Sequence, residues 1–179
     1  RDVMDPATGD AVLARAARSL RALLAQMPER ADLRLSLAQT LYSRALFAGE
    51  AKIDQARTFK VLDEVEVLLS PVLAHDSGNF RARQLSARTR LLRADSHSTE
   101  AQYAETIALS KAALVDLGTM AGHTSREQAD IALAREQANT LIGDATWYGG
   151  DQAGADRGQR CRRSAASPTR LSLTPPASD

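Results

Sequence analysis

Apolar residues recur at three- and four-residue steps along most of the chain, which is the spacing of helices with one buried face. In residues 10–27, DAVLARAARSLRALLAQM, this spacing puts Leu20 and Leu24 on one face while Arg18 lies largely away from it. Pro28 ends this helix, because proline donates no backbone hydrogen bond and restricts the residue before it. The N-terminal part of the chain is therefore predicted to be an amphipathic helix.

The same spacing predicts five further helices, at about residues 31–47, 53–74, 80–94, 99–117 and 124–148. Two of them open with the pattern of a capping box, Thr99-x-x-Gln102 and Thr124-x-x-Glu127. Pro71 lies inside the third helix and predicts a kink in its last turns. Since no segment shows a convincing two-residue alternation, the predicted fold class is all-α with about six helices.

A glycine-rich segment at residues 142–155, IGDATWYGGDQAGA, is interpreted as the turn between two helices rather than as a phosphate-binding loop. A P-loop needs the pattern GxxxxGK[ST], and no lysine follows Lys111; a dinucleotide fingerprint follows a strand, whereas a helix is predicted here. Gly-Asp at a turn lets one helix end in a left-handed residue while the aspartate caps the next. The same pair, Gly9-Asp10, occurs in TGDAVLA near the start of the chain.

These features resemble the tetratricopeptide repeat, in which a helix, a Gly-Asp turn and a second helix opening with alanine make a unit of about 34 residues. The resemblance extends over residues 9–155, with an insertion around 49–62 that departs from the period. It implies antiparallel helix pairs in an α-solenoid that binds a peptide or partner protein on its concave face. Alanine-rich repeats of this kind are also similar to the carboxy-terminal regions of some bacterial serine/threonine protein kinases.

After Ala155 the composition changes abruptly to arginine, serine and proline. This segment has too few large apolar residues to offset its ordering entropy, so a disordered tail is predicted at residues 156–179. It follows a helical repeat domain at 10–155 and an N-terminal edge at 1–9. We interpret the tail as an out-of-frame or aberrant ending of a longer repeat array.

Such an ending predicts that the last helix lacks the helix that would cover Leu141, Ala145 or Trp147. An exposed apolar patch of this kind promotes self-association. Self-association through the last helix is therefore expected.

Composition limits the function without naming it. The formal net charge of +1 gives no indication of binding to nucleic acid or to an anionic membrane. The single cysteine, Cys161, excludes an internal disulfide and a cysteine-based zinc site. No apolar run has the roughly 18 residues of a membrane helix and no signal-peptide pattern opens the chain, so we expect no membrane insertion and a cytoplasmic location. The chain begins at Arg1 rather than Met, from which we expect it to be a piece of a longer protein.

No catalytic constellation is recognisable. The sequence contains no HRD or DFG string of a protein kinase and no GxSxG elbow of a hydrolase. His75, His97 and His123 fall in predicted loops without the spacing of a zinc site. We therefore expect no catalytic residue, no cofactor and no metal ion.

The candidate partner-binding residues lie on the fourth and sixth helices. Arg81 and Arg88 are seven residues apart, as are Arg83 and Arg90, so each pair forms a stripe two turns long. One stripe is expected to face the concave groove and hold carboxylates of a bound peptide. Two alignments of the repeat fit this helix, and each of them places a different stripe in the groove. The alternative is an ordinary solvated helix face.

Asp144 and Trp147 lie one turn apart on the last helix, and Trp147 is either a groove anchor or a contact for a missing helix. Three functions follow from these observations. The first is a non-catalytic protein-interaction scaffold, and the second is a regulatory segment of a bacterial serine/threonine kinase whose catalytic domain lies outside this chain. The third is a structural spacer without a ligand.

Overall fold

The structure is a computed structural model that describes residues 6–50, 55–122 and 124–165, with the helical backbone alone for 6–7, 48–50 and 151–165. These residues form six α-helices: α1 Pro6–Gln26, α2 Ala31–Glu50, α3 Gln55–His75, α4 Phe80–Thr99, α5 Tyr103–Gly118 and α6 Ser125–Ala165. No strand occurs within the described ranges. The predicted all-α fold with six helices is confirmed.

The helices form two layers. The even-numbered helices contact one another in the order α2, α4, α6, while each odd-numbered helix packs against the even-numbered helices beside it in the sequence. The odd-numbered helices stand farther apart, and α1 reaches α3 through the Arg21–Glu64 ion pair at 2.7 Å. Since a stack curves toward the layer whose members are closer together, α2, α4 and α6 form its inner layer. This arrangement is compatible with an α-solenoid.

The repeating unit is longer than the tetratricopeptide resemblance implies. Inner helices begin at Ala31, Phe80 and Ser125, at steps of 49 and 45 residues. The expected unit of about 34 residues is therefore not the one that the structure has. Its helices are longer, with 20 residues in α2 and in α4 and 21 in α3.

Two clusters of buried side chains hold the layers together. The first joins the four helices α1, α2, α3 and α4 around fully buried leucines and valines such as Leu41, Leu62 and Val65. The second joins α4, α5 and α6, and it is rich in alanine apart from Leu91 and Leu117. Because alanine is small, it lets the axes of helices approach closely, and the alanines of the second cluster do this where α4, α5 and α6 meet.

The capping box predicted at the start of the sixth helix is confirmed. The backbone N–H of Glu127 donates to the Thr124 hydroxyl at 3.1 Å, and the backbone N–H of Thr124 donates to the Glu127 carboxylate at 3.0 Å. These reciprocal bonds satisfy two backbone donors and fix the start of α6 at Ser125.

The capping box predicted at Thr99 and Gln102 is wrong. Thr99 is the last residue of α4, and its hydroxyl donates to the Ser96 carbonyl at 2.7 Å. Gln102 precedes α5 without a side-chain cap, and Ala101 takes a left-handed φ of 58° at this turn. The fourth helix thus extends to Thr99, which the sequence pattern assigned to the start of the fifth helix.

The turn predicted at residues 142–155 is also wrong, because α6 continues as one helix from Ser125 to Ala165. The predicted helix end near Tyr148 falls inside it. Gly9-Asp10 likewise lies within α1, and no described glycine has a positive φ. The glycines of α6 therefore do not form a left-handed turn; a Cβ at Gly149 would lie 3.3 Å from the Cβ of Tyr103, so this glycine lets α6 approach α5.

The expectation that the last helix leaves its apolar residues uncovered is wrong for two of the three. Leu141 and Ala145 are buried, Leu141 in the cluster with α4 and α5, whereas Trp147 is 71% exposed. Of the predicted tail, residues 156–165 fall within the bounds of α6, and residues 166–179 lie outside the described residues.

Candidate partner-binding face

A groove runs between α2 and α4 on the inner layer. It has a volume of about 500 Å³ and is lined by Leu35, Ser36, Gln39, Arg81, Gln84 and Leu85. Leucine side chains supply apolar walls, and the amide, hydroxyl and guanidinium groups supply hydrogen-bond donors. We call the surface that includes this groove and Arg88 the inner face.

Arg81 is the free cation of this groove. Its side chain is exposed, and it has no hydrogen bond or ion pair with any described residue. Gln39 reaches the groove from the opposite wall, and Gln84 lies one turn from Arg81 on the same helix. An anionic side chain entering the groove would meet a full positive charge flanked by amide donors.

Arg88 also lies on the inner face, where it already has a partner. Its guanidinium is 3.6 Å from the Asp130 carboxylate of α6, which also accepts a hydrogen bond from the Gln84 amide at 3.3 Å. Both side chains of the ion pair are about one-third exposed. The contact therefore joins α4 to α6 while leaving Arg88 in reach of solvent.

Arg88 also acts electrostatically on Tyr42 of α2. Burial raises the pKa of the Tyr42 phenol, and the positive charge of Arg88 acts against that shift. The two side chains are therefore close enough to interact electrostatically across the inner layer.

The second arginine stripe lies on the other side of α4. Arg90 forms an ion pair with Asp116 of α5, and Arg83 donates to the Thr119 hydroxyl and to the Asp116 carbonyl. Positive side chains at the C-terminal end of a helix donate hydrogen bonds to its free carbonyls and are attracted by the negative end of the helix dipole. Arg83 and Arg90 thus hold the end of α5. Of the two registers that the sequence left open, the structure has the one in which Arg81 and Arg88 lie on the inner face.

Asp144 and Trp147 are exposed on α6, and neither of them lines the groove. At 1.5 Å per residue, Asp144 lies about 21 Å farther along α6 than Asp130, which contacts α4. Tyr148, next to Trp147, packs instead on Tyr103 of α5 with ring centroids 6.4 Å apart. Trp147 has no comparable contact within the described residues.

Sequence reasoning missed the uncharged part of the groove. Ser36, Gln39 and Gln84 are polar residues on helices, a pattern that any solvated helix face shows. Asp130 was likewise not assigned as the partner of Arg88. No signal in a single sequence distinguishes these positions, because only the packing of α2 against α4 brings them together.

The described residues offer no metal-binding group of three or more His, Cys, Asp or Glu side chains. Among the helices of the described ranges, none is both long and apolar enough to span a bilayer. The chemical groups of the inner face are suited to binding a ligand: one free guanidinium, amide donors and apolar walls. Comparison of the chain with models of protein families, with curated proteins and with solved structures found no match.

Proposed function

We propose that this chain is a non-catalytic helical-repeat scaffold that binds an acidic peptide or protein segment on its inner face. The observation that carries the proposal is Arg81, an exposed guanidinium without an ion-pair partner among the described residues, in a groove between two helices. Guanidinium groups bind carboxylates through two parallel hydrogen bonds, and the neighbouring amides can bind a peptide backbone. The apolar walls, Leu35 and Leu85, would contact an apolar side chain of the same segment.

The groove suits an extended or helical peptide rather than a small metabolite. It is lined from both sides by α2 and α4, and the stack continues to α6 through the Arg88–Asp130 contact. A preformed concave surface of this type binds a peptide without ordering its own backbone, which lowers the entropic cost of association. We expect the scaffold to act in the cytoplasm.

The test is binding of a fluorescein-labelled, glutamate-rich peptide and of its glutamine counterpart, followed by fluorescence anisotropy. Reversing the groove charge with Arg81→Glu should weaken binding of the acidic peptide about tenfold, which corresponds to about 1.4 kcal/mol. Arg57→Glu is the matched control, since Arg57 is exposed on α3 away from the groove. Equal binding by the wild type, Arg81→Glu and the control contradicts the proposal.

Two other functions remain predictions. A regulatory segment of a bacterial serine/threonine kinase requires a catalytic domain outside these 179 residues, and reading the parent gene upstream of Arg1 tests it. A structural spacer would bind neither peptide. No contact in the described part of the chain favours either of them over the scaffold.

A further inference from the structure

A second cavity lies where the α3–α4 loop and α4 meet the end of α5, and it shares no residue with the groove of the inner face. Its volume is about 410 Å³, which is enough for a small molecule. We call it the polar cavity, because two guanidinium groups, three hydroxyl groups and one carboxylate line it. These belong to Arg83, Arg90, Ser77, Ser86, Thr119 and Asp116.

The helix pairs α2–α3 and α4–α5 correspond position by position. The inner helices begin at Ala31 and Phe80, 49 residues apart, and the outer helices at Gln55 and Tyr103, 48 residues apart. With these offsets, buried residues coincide in both layers. The pairs are Leu37/Ser86, Ala38/Ala87, Tyr42/Leu91 and Ala45/Ala94 in the inner layer, and Thr58/Thr106, Leu62/Ser110, Val65/Ala113 and Leu69/Leu117 in the outer layer.

The polar cavity occupies positions that are apolar in the first pair. Arg90 corresponds to Leu41 and Asp116 to Leu68, and both leucines are buried in the first core cluster. The fold therefore does not require an ion pair at these positions, since the first pair of helices packs them with leucine. An ion pair in place of two leucines also adds little net stability, because desolvation of the charges offsets their attraction.

The donors of the polar cavity are only partly used. A guanidinium carries five N–H donors on three nitrogens, and the described contacts use Nη2 of Arg83 and Nη1 of Arg90. The hydroxyl groups of Ser77 and Ser86 have no hydrogen-bond partner among the described residues. The side chain of Arg90 is 30% exposed, so a ligand from solvent can reach it.

The polar cavity also contains acceptors. Within the described chain, Arg90 bonds one oxygen of the Asp116 carboxylate, Oδ2, and the other oxygen accepts no hydrogen bond. The cavity lies at the C-terminal end of α5, where the helix dipole is negative. A purely anionic ligand would be opposed by both features. Two positive side chains and one negative side chain instead complement a ligand with two carboxylates and one ammonium group.

We propose that the polar cavity binds a small acidic amino acid. Its carboxylates receive hydrogen bonds from Arg83 and Arg90, since guanidinium groups bind carboxylates through parallel N–H donors. Its ammonium group donates to Asp116. This site is separate from the inner-face groove, so amino-acid binding does not depend on the proposed peptide binding.

The experiment is a titration of the full, ¹⁵N-labelled chain at pH 7, followed by the amide NMR signals of Ser86 and Thr119. The probes are L-glutamate, L-glutamine, which lacks the second carboxylate, and glutarate, which lacks the ammonium group. We expect a Kd of about 1 mM or lower for glutamate, and values about threefold higher or more for the other two.

Substitution of Asp116 tests the ammonium contact. Asp116→Asn keeps an oxygen that can accept from Arg90 and removes the negative charge. It should weaken glutamate binding about threefold or more and leave glutarate binding equal or tighter, so the preference for glutamate disappears. An ion pair with a structural role alone would not change the order of the two ligands.

Arg90→Leu combined with Asp116→Leu repeats the apolar pair of the first two helices and should abolish binding of both ligands without lowering Tm. Ser86→Leu is a second test should that variant misfold by circular dichroism, because it fills the cavity and keeps the ion pair. Arg81→Glu is the control and should bind glutamate like the wild type.

Several results would overturn the proposal. The first is the absence of a saturable shift with glutamate up to about 10 mM. The others are equal binding of glutamate and glutarate by the wild type, a preference for glutamate that survives in Asp116→Asn, and glutamate binding that survives in the folded leucine variants. Loss of peptide binding in Arg81→Glu with glutamate binding intact would show that the two sites act separately.

Discussion

Replacing the glycines of α6 by alanine distinguishes a continuous helix from a helix–turn–helix at residues 142–155. Gly143 and Gly150 lie inside α6, neither has a positive φ, and a Cβ built at either meets no atom within 4 Å. In an exposed helix interior, alanine is more favourable than glycine by about 0.8 to 1.0 kcal/mol, because glycine loses more backbone entropy on folding. Gly143→Ala and Gly150→Ala should therefore each raise the free energy of unfolding by about that amount.

The two effects should add. Seven residues separate the positions by about 10 Å along the helix, and neither position has a neighbour in common with the other. The double variant should gain about 2 kcal/mol, which for a chain of this size corresponds to roughly 4 to 8 °C in Tm. Urea titration and thermal melting followed by circular dichroism at the helical minimum measure both quantities.

Gly149→Ala is the internal control, because its Cβ would lie 3.3 to 3.5 Å from three atoms of Tyr103. Alanine there has the same gain in helix propensity but crowds an aromatic ring, so its net effect should be smaller than at Gly150. If the Gly-Asp pair instead formed a left-handed turn, alanine at Gly150 would be strained. A lower Tm for Gly150→Ala would refute the continuous helix.

Three further substitutions concern buried hydroxyl groups. The Ser110 hydroxyl is buried without a hydrogen-bond partner in the described structure, so Ser110→Ala should stabilise the fold by about 1 kcal/mol in urea titrations. Thr106→Val, one turn away, should lower the free energy of unfolding by about 0.5 to 1.5 kcal/mol, because the Thr106 hydroxyl donates to the Ala94 and Gln102 carbonyls. Equal losses of stability in Ser110→Ala and Thr106→Val would contradict this reasoning. Burial raises the pKa of Tyr42, so the stabilisation linked to its neutral form is complete below about pH 10 and lost as pH rises through the folded-state pKa. Tyr42→Phe should flatten this alkaline decline, and an unchanged decline in melts between about pH 9 and 11 would contradict it.

The sequence predicted the helices because their apolar residues follow the helical period, and this signal is local. Residues with a specific effect on the backbone also predicted some helix ends correctly, namely Pro28 after α1 and the Thr124–Glu127 capping box at the start of α6. The errors occurred where a local signal competes with the preference of a helix to continue. Thr99 and the glycines near residue 150 are compatible with a turn, yet packing of α6 against Tyr103 supports the longer helix.

The candidate site could be predicted only in part. The seven-residue spacing of Arg81 and Arg88 identified a stripe, because residues two turns apart share a helix face. Which stripe faces the inner layer depends on how α4 is rotated between α2 and α5, and that is set by long-range contacts of Leu85 and Leu91. The unit length could not be derived from the Gly-Asp pairs, because all three of them, at 9–10, 143–144 and 150–151, lie inside helices.

The position of the arginines decides which substitutions can test binding. Reversing Arg83 and Arg90 would leave Asp116, whose side chain is 29% exposed, without its partner and would remove a hydrogen bond to the end of α5. A loss of binding in that variant would therefore combine a change in the fold with any change at a surface. Arg88 presents a smaller form of the same problem, because it is bonded to α6. Arg81 has no such role within the described chain, so Arg81→Glu changes the charge of the groove and leaves the packing of the helices intact.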